Sequence, residues 1–201
     1  MDPNFFQTIY LIRHAESAMA GCYCGSIDAP LSKKGERQAK KVGEFFKTIP
    51  LEVCYFSDLK RTSQTCQEIK EHKNGSTLFI KTPALREISF GAWEGHTFQE
   101  ISKEWPKLYK NWIQSPQTTQ IPKGEPFPKF EKRIKIFSKI LQKNSSKEIA
   151  IVAHGGTLAL LTILLLKKSM KEFWKWAPEC ASITILEKNL KDKNNKFKWA
   201  K

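Results

Sequence analysis

The sequence predicts an α/β fold, a three-layer αβα sandwich with a mostly parallel central sheet and a helical lid inserted into it. Short β-rich apolar runs alternate with longer amphipathic or wholly apolar helical stretches. Arg13-His14 and His154 directly follow two of those runs. Between Pro83 and Pro128 the pattern breaks into prolines, three tryptophans and short helical pieces, which reads as an excursion over the sheet. With 201 residues, no internal repeat and no linker, the chain reads as one domain, 1–201, with residues 83–128 as the lid-like excursion.

Taken in order, residues 8–12 form a short β-rich run that reads as a buried strand and delivers Arg13 and His14 at its end. A loop with Gly21, Gly25 and Pro30 follows. Ser32, with Gly35 and Glu36 behind it, has the chemistry of an N-cap and opens a helix to Phe46, with Pro50 closing the region. Residues 53–57 read as a second buried strand, and residues 58 to about 72 as a helix stopped by Asn74 and Gly75. Residues 78–81 read as a third strand. Residues 127–141 place Phe130, Ile134, Phe137 and Leu141 on one helical face. Residues 148–153 form the clearest strand and end in His154-Gly155-Gly156, which opens an apolar helix. Residues 182–186 and 196–200 read as final strands paired at a sheet edge.

The formal net charge of +14 favours anionic partners. Much of it comes from lysines near the C-terminal end: Lys167, Lys168, Lys171, Lys175, Lys188, Lys191, Lys193, Lys196 and Lys198. They read as a solvated basic face, because no aromatic and Arg/Lys interleaving of a nucleic-acid module accompanies them, so a nucleic-acid partner is not expected. The run from Leu158 to Leu166 is broken by Thr162 and is far short of the roughly 20 residues that span a bilayer. The first residues, Met1 to Gln7, lack a signal peptide's basic and apolar regions. A cytoplasmic protein with no membrane partner is expected. The five cysteines, Cys22, Cys24, Cys54, Cys66 and Cys180, are odd in number and scattered, so no disulfide framework follows. Cys22 and Cys24 lack a second close pair, so neither a metal nor another cofactor is expected. The charge alone leaves phosphates, nucleic acid and acidic lipid as anionic partners, and a monomer or homodimer is expected.

In open α/β sheets, ligands bind beyond the C-terminal ends of the strands. That edge should gather Arg13-His14, the turn from Ser57 to Arg61, the segment Leu85-Arg86-Glu87 and His154-Gly155-Gly156. Singly, each has an ordinary structural reading; together they form a site. A phosphomonoester dianion demands positive charge around its oxygens and a neutral nucleophile held in line. Arg13 and Arg61 offer permanent charge in planar forks. His154, protonated with phosphate bound, and the amides of Gly155 and Gly156, at a helix N-terminus, would add donors. His14 must be neutral to attack, with its second ring nitrogen donating to a backbone carbonyl.

These segments resemble the histidine phosphatase superfamily, with its phosphoglycerate-mutase-like fold. Leu11-Ile12-Arg13-His14-Ala15-Glu16-Ser17 resembles the signature Arg-His-Gly-Glu-Ser/Thr. Residues 57–62, 85–95 and 152–156 are similar to the second arginine, acid and second histidine segments, and the likeness spans about residues 8 to 187. The resemblance implies that His14 becomes phosphorylated. It also implies that Glu87 protonates the leaving alkoxide and then deprotonates water, the first of which wants a raised carboxyl pKa. Arg13, Ser17, Cys24, Gly25, Arg61, His154 and Gly155 would bind the substrate that the resemblance implies, a small phosphorylated metabolite, and its phosphate.

Within the superfamily, residues 23–32, 91–95 and 122–127 look like the α-ribazole phosphatase branch, which implies α-ribazole 5′-phosphate and cobalamin synthesis. Ala15, Ala20, Cys24 and Pro126 depart from the usual pattern, and Ala20 removes an expected polar contact near the phosphate. The alternatives are a phosphoglycerate-mutase-type phosphoryl transferase and a non-catalytic module that binds phosphate or RNA.

Overall fold

The computed structural model describes residues 5–73, 75–191 and 196–200. The apolar strand residues enter one sheet. Strand β1 (Phe6–Arg13) pairs in parallel with β4 (Glu148–Ala153), which pairs in parallel with β2 (Val53–Phe56), and β2 in parallel with β3 (Leu78–Lys81). On its other side β1 runs antiparallel to β5 (Ile183–Asn189), which carries β6 (Phe197–Trp199), also antiparallel. The order is β3-β2-β4-β1-β5-β6. The predicted final strands do pair at an edge.

Alternation along the strands divides the core into two layers. Tyr10, Ile12, Cys54, Ala150 and Val152 face helices α1 (Lys33–Phe45) and α2 (Lys60–Glu71), meeting Val42, Phe46, Cys66 and Ile69. Ile9, Leu11, Val53, Tyr55, Ile149 and Ile151 share the opposite core with residues of helices later in the chain. Covered on both faces, β4 needs the uninterrupted apolar run that its sequence shows.

The lid is built from two short helices, α3 (Phe98–Glu104) and α4 (Pro106–Gln114), and three 3-10 turns, Pro83–Leu85, Gly91–Trp93 and Pro116–Thr118. Thr97 and Glu100 close a reciprocal capping box at the start of α3. Trp93 is completely buried and meets Trp105, Tyr109 and Trp112, which fastens the lid. After the lid, α5 (Phe127–Lys143) and α6 (Gly155–Leu166) cover the second face, with Phe130, Ile134, Phe137 and Leu141 of α5 buried as its periodicity predicts.

Ser32 caps α1, accepting from the Gly35 N–H. Helix α2 starts at Lys60 instead of 58, because Asp58 is drawn aside by a bidentate pair with Arg86. Strand β5 runs to Asn189, past the predicted end at 186, because its polar residues keep register with Phe6, Gln7 and Thr8 of β1. Asn74 of the predicted helix stop, Lys193 of the basic face and the first four residues lie outside the described residues. Among the described residues, no helix is long and apolar enough to cross a membrane.

Candidate active site

Four chain segments converge beyond the C-terminal ends of β1, β2, β3 and β4. The apolar run of β1 fixes His14, which is nearly buried. Its Nδ1 lies 2.7 Å from the carbonyl of Ala15. A carbonyl only accepts, so Nδ1 carries the proton and Nε2 keeps its lone pair. Burial first, and then the charge of Arg61, push the pKa of His14 down to about 3. The ring is therefore neutral at physiological pH, as a nucleophile must be. Thr65 Oγ1 accepts from the Ala15 N–H at 3.0 Å and fixes the backbone that holds the ring.

His154 follows β4, with its ring centroid 5.1 Å from that of His14. Arg61 Nε donates to His154 Nδ1 at 3.3 Å, and His154 Nε2 lies 3.0 Å from Ser57 Oγ. Since Nδ1 accepts, the neutral tautomer carries its proton on Nε2 and donates it to Ser57. Burial, His14 and Arg61 hold the pKa of His154 well below the usual histidine value. In this arrangement His154 is therefore uncharged and the arginines supply the permanent charge; the protonated donor that the sequence suggests belongs to the site with phosphate bound.

Arg61 is completely buried at the start of α2. Nη1 donates to the carbonyl of Ile27 at 2.7 Å, and Nη2 to those of Cys24 and Gly25 at 3.1 and 2.9 Å. With Nε on His154, these bonds leave one of its five N–H groups for the cavity. Arg13 Nη1 donates to the carbonyl of Pro178 at 2.8 Å, and its guanidinium passes 3.4 Å from where a Gly155 Cβ would stand. A side chain at position 155 would meet the Arg13 guanidinium in ordinary van der Waals contact.

Glu87 occupies the N-terminus of α6. Its Oε2 accepts from the Gly156 N–H at 2.9 Å and its Oε1 from the Thr157 N–H at 3.0 Å, while Thr157 Oγ1 donates to the Arg86 carbonyl at 2.8 Å. The Gly156 amide, expected to meet phosphate, is therefore committed to the Glu87 carboxylate. A helix N-terminus favours an anion, and here the anion is a side chain. Arg133 of α5 clamps the same segment, donating to the carbonyls of Ala84, Arg86 and Glu87 while pairing with Glu125 at 2.9 Å.

These groups open into a cavity of about 500 Å³, whose wall includes Arg13, His14, Ser17, Cys24, Arg61, Glu87 and Gly155. Ser17 Oγ accepts from the Met19 N–H, and Cys24 Sγ donates to the Ile27 carbonyl. Gly25 and His154 lie behind this wall; the Gly25 N–H goes to Glu94 and its carbonyl to Arg61. The outer wall is aromatic, with Phe90, Phe98, Trp112, Phe127, Phe173 and Trp174. Of the lid aromatics, Trp112 lines the cavity, whereas Trp93, Trp105 and Tyr109 pack the lid.

Sequence reasoning missed Thr65, Thr157, Arg133 and the part played by Glu94. Thr157 was findable, since a hydroxyl in the first turn after a His-Gly-Gly strand end sits among free amides. Arg133 carries no such signal. Among the described residues, no group of three or more His, Cys, Asp or Glu side chains could hold a metal ion.

The family described as histidine phosphatase superfamily (branch 1) matches residues 9–198. Phosphoserine phosphatase 1 of Hydrogenobacter thermophilus is 30% identical over 181 residues, covering 89% of this chain and 85% of that protein. The adenosylcobalamin/alpha-ribazole phosphatase of Salmonella typhimurium is 29% identical over 199 residues, 95% of this chain and 98% of that protein. The alpha-ribazole phosphatase structure from Shigella flexneri has a TM-score of 0.82 at 22% identity, covering 96% and 95% of the two chains, a likeness of fold. A family match over nearly the whole chain and phosphatase relatives aligned almost end to end agree with the chemistry gathered around His14: the chain belongs to the histidine phosphatase superfamily and is a phosphomonoesterase.

Proposed function

We propose that His14 carries the phosphoryl group in a metal-independent hydrolysis of a small, ring-bearing phosphomonoester of the α-ribazole 5′-phosphate kind. The observation that carries the mechanism is the neutral, nearly buried His14, with Nδ1–H on the Ala15 carbonyl and Nε2 in a cavity shared with Arg13, Arg61 and Glu87. In the first step the Nε2–P bond forms as the ester O–P bond breaks, and protonated Glu87 gives its proton to the leaving oxygen. To hold that proton, Glu87 exchanges one of its acceptor contacts on α6 for a donor role. In the second step water attacks phosphorus, Glu87 takes the water's proton, and the N–P bond breaks to regenerate neutral His14. The two arginines hold the phosphoryl charge throughout. The proposed setting is a cytoplasmic one, with a small phosphorylated metabolite as the only ligand required.

The ring preference rests on the cavity. Its volume suits a ligand far larger than phosphate, and its outer wall offers aromatic surface. A second reading, O-phosphoserine, is favoured by the Hydrogenobacter relative. Its ammonium and carboxylate would need ionic partners; of the outer residues, Glu16 already pairs with Lys34 at 2.7 Å. The test is a comparison of kcat/KM on α-ribazole 5′-phosphate, O-phosphoserine and 3-phosphoglycerate. The ring-bearing ester should lead by at least about tenfold, worth about 1.4 kcal/mol. A lead for phosphoserine would transfer the assignment to the second reading. Phosphoryl transfer between hydroxyls of phosphoglycerate would make the protein a mutase.

A further inference from the structure

A completely buried guanidinium should be costly unless its charge is compensated. Yet the hydrogen bonds of Arg61 go to three carbonyls and one imidazole, none of them to a carboxylate. The carboxylate stands one peptide layer further back. Glu94 Oε2 accepts from the N–H groups of Gly25 and Ile27 at 3.0 and 3.3 Å. Its Oε1 accepts from the Ser26 N–H, Ser26 Oγ and the Phe90 N–H at 2.8, 3.0 and 2.9 Å. The peptides of residues 24–27 thus lie between a carboxylate that takes their N–H groups and a guanidinium that takes their carbonyls. Gly25 permits the sandwich, because a Cβ there would lie 2.0 Å from the Ile88 carbonyl oxygen and 2.8 Å from Glu94 Oε1. Glu94 is itself fixed by the buried Trp93 beside it and by the bond from its N–H to the Gly91 carbonyl.

We propose that Glu94 is a positioning residue for the reaction: its carboxylate clamps the 24–27 loop, whose carbonyls hold the Arg61 guanidinium against His154 and the phosphoryl site. The clamp compensates Arg61 through oriented peptides and leaves its charge unpaired toward the cavity, where the phosphate dianion becomes its direct counterion. Glu94 lies outside the cavity wall and has both oxygens occupied, so it is not the general acid. The inference rests on the roles of Arg61 and His14 set out in the preceding section.

Glu94→Gln is the test, because the amide keeps the shape but turns an NH₂ toward N–H donors. With p-nitrophenyl phosphate, kcat/KM should fall by about 10²-fold, the scale of a misplaced catalytic group. The double variant with Arg61→Ala should lose less than about twofold beyond Arg61→Ala alone, because both changes remove the same contact. A third readout is the protonation of the His14 ring. Burial first, and then Arg61 and Arg13, hold its pKa down, and the neutral His154 faces it. Loosening Arg61 should therefore raise that pKa, and an NMR titration should show His14 taking up its proton at higher pH in Glu94→Gln than in the wild type.

Wild-type activity, losses that multiply in the double variant, or an unmoved His14 would each overturn the proposal. If Glu94→Gln fails to fold, Glu94→Asp replaces it under the same criteria, since the shorter side chain keeps the charge but cannot reach all five donors. Absence of label on wild-type His14 would sink the reading it rests on. Label on His14 with an unaffected Glu94→Gln would sink this inference alone.

Discussion

At the scale of single residues, the site separates protons from charge. Arg13 and Arg61 hold permanent charge, His14 is kept neutral, and Glu87 alone has a carboxylate in the cavity free of any cationic partner described. Glu16, the other acidic residue of the wall, is held by Lys34 and Ser32. This division predicts different responses to the leaving group. Glu87→Gln keeps the acceptor geometry of one oxygen but cannot deliver a proton, so hydrolysis of alkyl phosphates should fall by about 10²- to 10⁴-fold. With p-nitrophenyl phosphate, whose phenolate leaves unaided, the pre-steady-state burst should be far less affected, although turnover still needs Glu87 to activate water. Arg61→Ala withdraws charge from the phosphoryl group itself, so alkyl and aryl esters should suffer alike. Matching leaving-group dependence in the two variants would remove Glu87 from the acid role.

At the scale of elements, helix α6 is the piece that makes the site. Its N-terminus carries Glu87, and its apolar residues are buried on nearly every side, which explains a run with no polar face. Its C-terminus is less well provided for. Lys167 adopts a left-handed conformation, φ 54 and ψ 43, where glycine is the usual residue. Its side chain is exposed, so Lys167→Gly should relieve strain without opening the core. Chemical denaturation should show a gain of about 1 kcal/mol, and a loss would mean that the lysine side chain holds the helix end.

The elements also show what the sequence could and could not reveal. The apolar run of β4, the period-3.6 pattern of α5 and the Ser32 cap were legible, because burial and capping act within a few residues. The end of β5 was not legible, because Glu187, Lys188 and Asn189 belong to the strand only through their pairing with β1. His14 and Glu87 were legible as motif residues. The neutrality of His154 and the capture of the Gly156 amide by Glu87 were not, since both arise between residues 69 or more positions apart.

At the scale of the whole molecule, the doubly covered sheet brings together His14 from β1, Arg61 beyond β2, Glu87 beyond β3 and His154 beyond β4. The lid adds aromatic surface above them. The sheet thus provides the rigid chemistry, and the lid the part that can distinguish one leaving group from another. The charge needed for catalysis comes from side chains fixed in that frame, so the covalent step should proceed in EDTA. The most direct test is rapid quenching of the wild-type enzyme during turnover of ³²P-labelled substrate in EDTA, followed by peptide mapping. The account predicts acid-labile label on His14 alone, absent in His14→Ala. Label on His154, label on no histidine, or labelling that requires an added divalent metal would contradict it.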